Sequence, residues 1–331
     1  MFKDKVILIT GGSGSWGNEL ASQLLTKEPR EIIIFSRGEI SQVAMERKFN
    51  DPRLTFVIGD VRNRKSVDNA MRRGVDYVYH LAALKHVPIC ENHPQEAIET
   101  NIIGSNNIIQ SSIKFKVKKF IDVSSDKAVD PVNIYGMTKA IGEKLTIQAN
   151  CLTDETEFIC VRGGNVLGTN GSLVPYVIDQ IKTKNEVIIT DSKMTRFFLT
   201  LPEAIGLLFQ ATKEGIGGET YVMNMPSYHI SDLIEILIEK YGNKHTKLNE
   251  IGAREGEKIH EVLISQHEIN RTDYVDENYY VIYPQLKIDR TYYHSWNQED
   301  YWNGKANTQL THELSSTCNL KDKTYLINLL K

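Results

Sequence analysis

Residues 6–20 carry the sequence VILITGGSGSWGNEL, and this stretch decides the fold of the chain. A short apolar run is followed by glycines at every third position, Gly11, Gly14 and Gly17, and then by a helical pattern. Glycine allows a sharp turn and close approach of the backbone to an anion, and a helix N-terminus favours negative charge. The stretch therefore predicts a strand–turn–helix unit that binds the pyrophosphate of a dinucleotide through Gly11, Gly14, Ser15 and Gly17.

The alternation of strand and helix continues outward from this stretch through the first half of the chain. Further β-rich runs are expected at residues 31–35, 54–58, 77–80, 119–123 and 157–161. Helical patterns lie at residues 18–25, 39–49, 64–71, 94–113 and 134–149. Such alternation implies parallel strands joined by right-handed crossovers, with helices on both faces of the sheet. The predicted fold class is α/β, a Rossmann-type doubly wound parallel sheet with a smaller mixed α/β part.

Beyond Gly168 the alternation weakens and polar loops dominate, although helical patterns return at residues 201–212 and 230–241. We therefore expect a dinucleotide-binding domain with the catalytic residues over residues 1–168. A substrate-binding part over residues 169–331 is expected to follow, with some of its segments able to return to the first domain.

The composition is that of an ordinary globular protein. Of 331 residues, 41% are hydrophobic and 24% are charged, and the net charge of -3 is spread without a basic block, which disfavours nucleic acid as a partner. No apolar segment approaches the ~18 residues that a membrane span needs. The four cysteines show no CxxC spacing, which favours reduced thiols over a metal site or a disulfide framework. A cytoplasmic protein without a metal is the expectation.

The ends of the second, third and fourth strands indicate which cofactor binds. Ser36 and Arg37 occupy the position where a carboxylate usually binds the ribose of NAD. A hydroxyl and a guanidinium instead suit the 2′-phosphate of NADP. The alternative is that the two residues are only an exposed surface pair. Asp60 and Val61 follow the third strand, where the carboxylate either accepts a hydrogen bond from adenine or only forms a turn. Lys85 follows the fourth strand and could touch the cofactor or the substrate.

The strongest chemical signal is KKFIDVSSDKAVDPVNIYGMTKAIGEK, residues 118–144. Tyr135 and Lys139 are four residues apart and therefore share one face of a helix. A free tyrosine has a pKa near ~10, and an adjacent ammonium would stabilise its phenolate. The pair could then take a proton from an alcohol while a hydride leaves the same carbon.

Together these residues resemble the extended short-chain dehydrogenase/reductase superfamily, and within it the UDP-N-acetylglucosamine 4,6-dehydratases that invert carbon 5. The resemblance covers roughly residues 1–315. It rests on Asp126-Lys127 and on the segments LAALKHVP (81–88), ETNIIGSNN (99–107), GNVLGTNGSLVP (164–175), MTRFF (194–198) and REGEKIHE (254–261). It implies a UDP-sugar as substrate, NADP as cofactor and, because such proteins usually associate through helices of the cofactor domain, a homo-oligomer.

The resemblance also assigns roles around the tyrosine. Oxidation of the 4-hydroxyl acidifies the hydrogen on carbon 5, so that loss of water across carbons 5 and 6 needs a base and an acid. The resemblance implies that Asp126 protonates the 6-hydroxyl and that neutral Lys127 removes the carbon-5 proton. Ser125 could hydrogen-bond the 4-hydroxyl. A lysine base requires a pKa lowered from ~10.4 by desolvation or nearby cations, and Lys139 and the nicotinamide could supply the repulsion.

Contacts to the nucleotide-sugar are expected farther along the chain. Asn165 and Arg254 look like such contacts, since a guanidinium forks onto phosphate oxygens. Arg196 is expected either at the diphosphate or in a structural role, and Glu257 either at the substrate or in a salt bridge. Lys85 completes the predicted substrate set.

Three other functions compete with this hypothesis. A UDP-hexose 4-epimerase shares the fold and the tyrosine but has no use for an acid–base pair. A retaining 4,6-dehydratase usually carries Asp-Glu where this chain has Asp126-Lys127. A non-catalytic NADP-binding scaffold has no physical reason to keep all of these groups.

Overall fold

A nine-stranded sheet forms the centre of the protein. The computed structural model describes residues 1–169, 171–276, 278–286 and 310–330. The first six strands are β1 (Val6–Thr10), β2 (Glu31–Ser36), β3 (Leu54–Ile58), β4 (Tyr77–His80), β5 (Lys119–Ser125) and β6 (Glu157–Gly163). They pair in parallel in the order β6-β5-β4-β1-β2-β3, which confirms the predicted fold class.

Three strands from the second half of the chain extend this sheet beyond β6. They are β10 (Thr220–Met223), β14 (Thr272–Asp276) and β15 (Tyr279–Ile282). β10 pairs with β6 in parallel, whereas β15 and β14 add antiparallel strands at the edge. Chain segments beyond residue 168 therefore return to the central sheet, and the domain boundary at that residue stays a prediction.

The described helices flank the sheet and the smaller part. They are α1 (Ser15–Leu25), α2 (Glu39–Phe49), α3 (Arg64–Met71), α4 (Val87–Asn92), α5 (Pro94–Ile98), α6 (Gly104–Lys114), α7 (Ile134–Ala149), α8 (Leu173–Lys184), α9 (Leu201–Glu214), α10 (Ile230–Tyr241) and α11 (Lys323–Leu329). The continuous helix expected at residues 94–113 is instead interrupted by a π-helical turn, Glu99–Ile103. Helix α8 falls where polar loops were expected.

Alternate residues of β1 pack into two different cores. Ile7 and Ile9 lie in the core that includes Leu20 of α1 and Leu208 of α9. Leu8 points the other way and joins the core that contains Val67 of α3. Side chains alternate across a strand, so a strand that is apolar throughout requires helices on both faces.

A third core belongs to the second half of the chain. Helices α8, α10 and α11 pack around Phe198, Tyr228 and Leu326. Phe198 lies on β9 (Thr195–Leu199), which forms a three-stranded sheet with β7 (Asn165–Val166) and β11 (Ser227–His229). The other short pairs are β8 (Glu186–Ile189) with β12 (Lys247–Glu250) and β13 (Val262–Ile264) with β16 (Leu314–Ser315). The smaller part is thus mixed α/β.

Candidate active site

The glycine turn after β1 is shaped by close approaches that only glycine permits. Gly11 has a φ of +64°, and a Cβ there would lie 2.9 Å from backbone atoms of Ala82. A Cβ on Gly17 would lie 2.1 Å from the Gly12 carbonyl oxygen, so this glycine lets α1 begin directly against the turn. Gly14 is the N-cap of α1. The turn therefore directs the N-terminus of α1 toward the carboxyl ends of the strands.

A cavity of about 660 Å³ runs along these carboxyl ends. In open parallel sheets, ligands bind in this position because the strand order reverses there and the loops diverge. Twelve of the residues predicted from the sequence line it: Gly11, Gly14, Ser15, Ser36, Arg37, Asp60, Val61, Lys85, Ser125, Lys127, Tyr135 and Asn165.

At the end of β2, a network of hydrogen bonds fixes the Ser36 hydroxyl. Gln42 is buried, and its side-chain amide donates to the Ser36 Oγ at 2.9 Å and to the Ser36 carbonyl at 3.0 Å. The Oγ of Ser13, in the glycine turn, lies 2.9 Å from the same hydroxyl. Next to this network, the Arg37 side chain is 53% exposed. Hydroxyl donors and a guanidinium thus face the cavity together.

Asp60, after β3, is held by an arginine. Its carboxylate accepts hydrogen bonds from Arg62 at 2.9 and 2.7 Å and lies 3.9 Å from the Arg37 guanidinium. Burial alone would raise the pKa of Asp60, but the hydrogen bonds from Arg62 outweigh it and lower the pKa. The carboxylate is therefore ionised and still lines the cavity, next to Val61.

Asn101 holds the loop after β4 through hydrogen bonds to the backbone of Leu84. Its side chain accepts a hydrogen bond from the Leu84 amide at 2.8 Å and donates to the Leu84 carbonyl at 2.9 Å and to Thr138 of α7 at 3.0 Å. Asn101 lies in the π-helical turn that interrupts the predicted helix. The loop thereby places Lys85 on the cavity wall, where burial lowers the pKa of this lysine.

The start of α7 is packed tightly against the turn that follows β5. Asn133 caps the helix by accepting a hydrogen bond from the Gly136 amide at 2.8 Å. A Cβ on Gly136 would lie 2.2 Å from the Lys127 carbonyl oxygen, so glycine permits this close contact. Tyr135, one residue earlier, is thereby held beside Lys127 on the same cavity wall.

Lys139 lies one helical turn beyond Tyr135, in the protein interior. Its ammonium donates to the Asp122 carboxylate at 3.3 Å, and both side chains are buried. Burial raises the pKa of Tyr135, and the opposing effects of Lys139 and Ser125 only partly offset the rise. The sequence predicted a stabilised phenolate; among the protein's own groups, Tyr135 instead rests as the neutral phenol.

Two buried carboxylates surround the ammonium of Lys127. Its Nζ lies 3.1 Å from Asp126 and 3.1 Å from Glu261. Burial alone would lower the pKa of Lys127, but the two carboxylates outweigh burial and repulsion by Arg196, and the pKa is raised. The lowered pKa of Lys127 expected from the sequence is therefore wrong for the protein's own groups, because that expectation included burial and nearby cations but not the two carboxylates.

Several predicted residues lie outside the lining of this cavity within the described part of the chain. Asp126 and Lys139 are buried behind the wall. Arg196 is also buried and donates to the carbonyls of residues 195, 258 and 259, which is the structural role left open for it. Arg254 is exposed, and its amide donates to the Glu257 carboxylate at 3.2 Å, so these two residues contact each other.

The sequence reasoning missed three polar residues of the site. Glu261 was quoted only as the last letter of a motif, and Gln42 lies within a helical pattern. Asp122 carried the clearest signal, because it is a charged residue within an otherwise apolar β-run, and such a residue is buried only with a partner.

Comparison with known proteins agrees with the fold. A family model described as "Polysaccharide biosynthesis protein" matches residues 7–283. A protein from Rickettsia akari named UDP-glucose 4-epimerase is 44% identical over 279 residues, covering 82% of this chain and 81% of its own. The X-ray structure of Pen from Bacillus thuringiensis superposes with a TM-score of 0.90 at 36% identity, covering 99% of this chain and 98% of that one.

A more distant structure shows the fold alone. DesIV from Streptomyces venezuelae, a dTDP-glucose 4,6-dehydratase solved with NAD and TYD bound, has a TM-score of 0.71 at 21% identity, over 77% of this chain and 86% of its own. The fold is that of an extended short-chain dehydrogenase/reductase, the class that includes nucleotide-sugar dehydratases and epimerases. This chain belongs to the polysaccharide biosynthesis protein family. Within the described residues, no helix has the length and apolar character that crossing a membrane requires.

Proposed function

We propose that the protein is an NADP-dependent UDP-N-acetylglucosamine 4,6-dehydratase that inverts carbon 5 of the sugar. Its product would be UDP-2-acetamido-2,6-dideoxy-β-L-arabino-hex-4-ulose. The observation that carries the proposal is the position of Lys127, which lines the same cavity as Tyr135 and the glycine turn and contacts Asp126 at 3.1 Å. An acid–base pair beside an oxidation site is the arrangement that elimination of water requires.

The glycine end of the cavity fits a nicotinamide dinucleotide. The turn at Gly11 and Gly14 leads into the N-terminus of α1, where a diphosphate is stabilised. Ser36 and Arg37 present a hydroxyl and a guanidinium where a carboxylate would repel a 2′-phosphate, which favours NADP over the NAD found in DesIV. When bound, the nicotinamide would accept a hydride from carbon 4 and return it to carbon 6.

Tyr135 acts as the base for the 4-hydroxyl. Its phenol lines the cavity, and Lys139 and Ser125 both lower its pKa against the effect of burial. The buried Lys139 ammonium would stabilise the negative charge that forms on the phenol oxygen when the proton moves. The Ser125 hydroxyl also lines the cavity, where it can bind the 4-hydroxyl of the sugar.

Asp126 and Lys127 together supply the acid and the base of the elimination. The ammonium of Lys127 and the carboxylate of Asp126 are hydrogen-bonded, so transfer of one proton between them makes a neutral amine and a carboxylic acid at the same time. The amine then removes the carbon-5 proton. Asp126 is buried behind the wall, and Ser125, which donates to it at 2.8 Å, lies between this carboxyl group and the cavity.

The UDP-hexose 4-epimerase remains the second candidate function, because the Rickettsia akari relative carries that name. An epimerase rotates the oxidised sugar and returns the hydride to carbon 4, so that no water is lost. Lys127, with the carboxylate of Asp126 beside it, would then have no chemical task at the cavity. A retaining dehydratase would lose water but leave the configuration at carbon 5 unchanged.

Incubation of the protein with NADP⁺ and UDP-N-acetylglucosamine in deuterium oxide, followed by proton NMR, tests the proposal. We expect a 6-deoxy-4-ketose with deuterium at carbon 5 and the L-arabino configuration. Only an inverted carbon 4 would establish the epimerase, and a retained carbon 5 would establish the retaining dehydratase. Absence of turnover on any UDP-hexose despite tight cofactor binding would favour the scaffold.

Substitution of the lysine adds a sharper test. Lys127→Met should abolish water loss and deuterium incorporation while leaving binding of NADP⁺ intact, since Asp126 and Tyr135 remain. Lys144→Met, a change to an exposed lysine on α7, is the matched control and should behave as the unmodified protein. An active Lys127→Met variant would contradict the role of this lysine.

We also propose that the chain forms a homo-oligomer through the helices beside the catalytic turn. Ile98, Ile103, Met137 and Ile141 are exposed, and the helical segments that carry them pack against one another. Four exposed apolar side chains on neighbouring helices form a patch that is more stable when a second subunit covers it than in water. The double variant Met137→Lys/Ile141→Lys should sediment as a smaller species than the unmodified protein in analytical ultracentrifugation.

A further inference from the structure

Glu261 is a buried carboxylate that contacts the candidate base from a distant part of the chain. Its side chain is 3% exposed, and Oε1 lies 3.1 Å from the Nζ of Lys127. Its Oε2 is also buried and has no hydrogen-bond partner among the described residues. A buried carboxyl group with an unpartnered oxygen is costly unless it interacts with a charge nearby.

The backbone at this position is held independently of the carboxylate. The amide of Glu261 donates to the Ser316 hydroxyl at 2.9 Å, and that hydroxyl lies 2.7 Å from the Thr195 Oγ1. The Arg196 Nε is 3.9 Å from Oε1, farther than a hydrogen bond. Replacement of the carboxylate by an amide therefore leaves the backbone contacts of residue 261 in place.

Charged and titratable groups face Lys127 from every element packed against it. Asp126 lies on the same turn, Tyr135 on α7, Arg196 on β9, and Glu261 just before β13. The positive charge of Arg196 opposes the ammonium, whereas the two carboxylates favour it. Of these two carboxylates, Asp126 has a chemical role in the proposed elimination and Glu261 has none.

We propose that Glu261 is a positioning residue that acts through Lys127: it accepts a hydrogen bond from the ammonium, holds Nζ on the cavity wall and sets the pH up to which the lysine keeps the proton that it passes to Asp126. The proposal rests on the proposed function, in which the neutral lysine removes the carbon-5 proton. Glu261 lies outside the lining of the cavity, so it acts on the reaction only through Lys127.

The proton and electron balance of the step involves only the neighbouring groups. Lys127 first gives one proton to Asp126. Its free amine then forms a new N–H bond to the carbon-5 proton, and the electron pair of the broken C–H bond passes into the enolate of the 4-ketone. The enolate electrons then form the C5–C6 double bond as the C6–O bond breaks, and the oxygen takes the proton from Asp126 and leaves as water. The carboxylate of Glu261 contacts the ammonium before and after the transfer.

The direct test is the titration of Lys127 in protein labelled with ¹³C at lysine Cε, with its resonance assigned by its loss in Lys127→Met. Loss of a carboxylate within hydrogen-bond distance should lower the midpoint of this titration by about 1–3 pH units in Glu261→Gln. Glu261→Asp keeps the charge and should restore most of the shift. Glu255→Gln, at an exposed position of the same segment, is the control and should leave the midpoint unchanged.

The second measurement is the pH dependence of deuterium incorporation at carbon 5. Because the elimination needs one proton shared by Lys127 and Asp126, the rate should fall at high pH, where this proton is lost to solvent. This fall should move to lower pH in Glu261→Gln and return toward its original position in Glu261→Asp. A uniform loss of rate with an unmoved profile, or an unmoved NMR midpoint, would overturn the proposal. If the unmodified protein makes no dehydrated sugar, the proposed function has failed, and the NMR titration alone then decides whether Glu261 controls Lys127.

Discussion

The ammonium of Lys139 lies 3.3 Å from the carboxylate of Asp122, and both groups are buried beneath the cavity. They come from neighbouring elements, α7 and β5. Burial would lower the pKa of Lys139, but the charge of Asp122, helped by Tyr135, outweighs burial and raises it. Asp122 therefore keeps Lys139 protonated near Tyr135, and burial shields this ammonium from solvent.

Asp122→Asn should destabilise the protein by about 3–5 kcal/mol, because it leaves a buried ammonium without its carboxylate. In the unmodified protein the raised pKa of Lys139 stabilises the fold at every pH below the unfolded value of ~10.4, and this stability is lost only as the pH rises through the folded value. In the variant, burial lowers that pKa, so stability should increase between about pH 7 and 10 as the lysine loses its proton. Urea unfolding over this range measures both effects.

The double variant Asp122→Leu/Lys139→Met is the control for this prediction. It removes both charges and should recover most of the lost stability, since apolar side chains often replace a buried ion pair without cost. It should also be inactive, because Tyr135 loses its cation. An Asp122→Asn variant as stable as the unmodified protein would show that the ion pair does not contribute.

A buried histidine beneath the site should make stability depend on acid pH. His80 on β4 lies between the hydroxyls of Thr10, at 2.7 Å, and Ser105, at 2.9 Å. Burial, with a smaller effect from Lys139, lowers the pKa of His80 to about 3. The unfolded chain therefore binds one more proton below about pH 6.5, and stability should fall toward pH 3 by up to ~1.4 kcal/mol per pH unit.

His80→Gln should remove the contribution of His80 to the slope of the free energy of unfolding against pH. The variant will also be less stable than the unmodified protein at neutral pH. His245→Gln, at an exposed position, is the matched control and should retain the slope. Urea unfolding between about pH 4.5 and 7 provides the measurement. Equal slopes in all three proteins would mean that His80 takes up its proton in the folded state.

Arg37→Ala should weaken binding of NADP⁺ by about 10–100-fold, which corresponds to the loss of one charge-assisted hydrogen bond. NAD⁺ lacks the 2′-phosphate, so its dissociation constant should change by less than about threefold. Isothermal titration calorimetry with NADP⁺ and with NAD⁺ measures the two dissociation constants separately. Arg47→Ala, an exposed arginine on α2, is the control. Equal weakening of both dinucleotides would contradict recognition of a 2′-phosphate by Arg37.

Tyr135→Phe should lower the rate of sugar oxidation by about 10²–10⁴-fold, the usual effect of removing a general base. The affinity for NADP⁺ should remain, because the glycine turn and the end of β2 are unchanged. The transient absorbance of reduced cofactor in single-turnover experiments reports the oxidation step directly. A variant that oxidises the sugar at the original rate would rule out Tyr135 as the base.

Much of the fold could be predicted because the deciding interactions are local. Helices α2, α7 and α10 begin and end where their apolar periodicity places them. The strands are apolar on both faces and could be recognised without knowledge of their neighbours. Helix α8 was missed because the strand–helix alternation weakens after Gly168 and the sequence there was interpreted as polar loops. The π-helical turn at Glu99–Ile103 depends on the tertiary contacts of Asn101, which no local pattern records.

The sequence by itself determined the glycine turn, the strand–helix order and the pairing of Tyr135 with Lys139, because each follows from the spacing of residues along one element. Only the tertiary structure decided which charges surround Lys127 and Lys139. Glu261 reaches Lys127 from the far half of the chain, and the direction of a pKa shift depends on the balance between burial and such neighbours. That balance is a property of distances in space, which the order of residues does not contain.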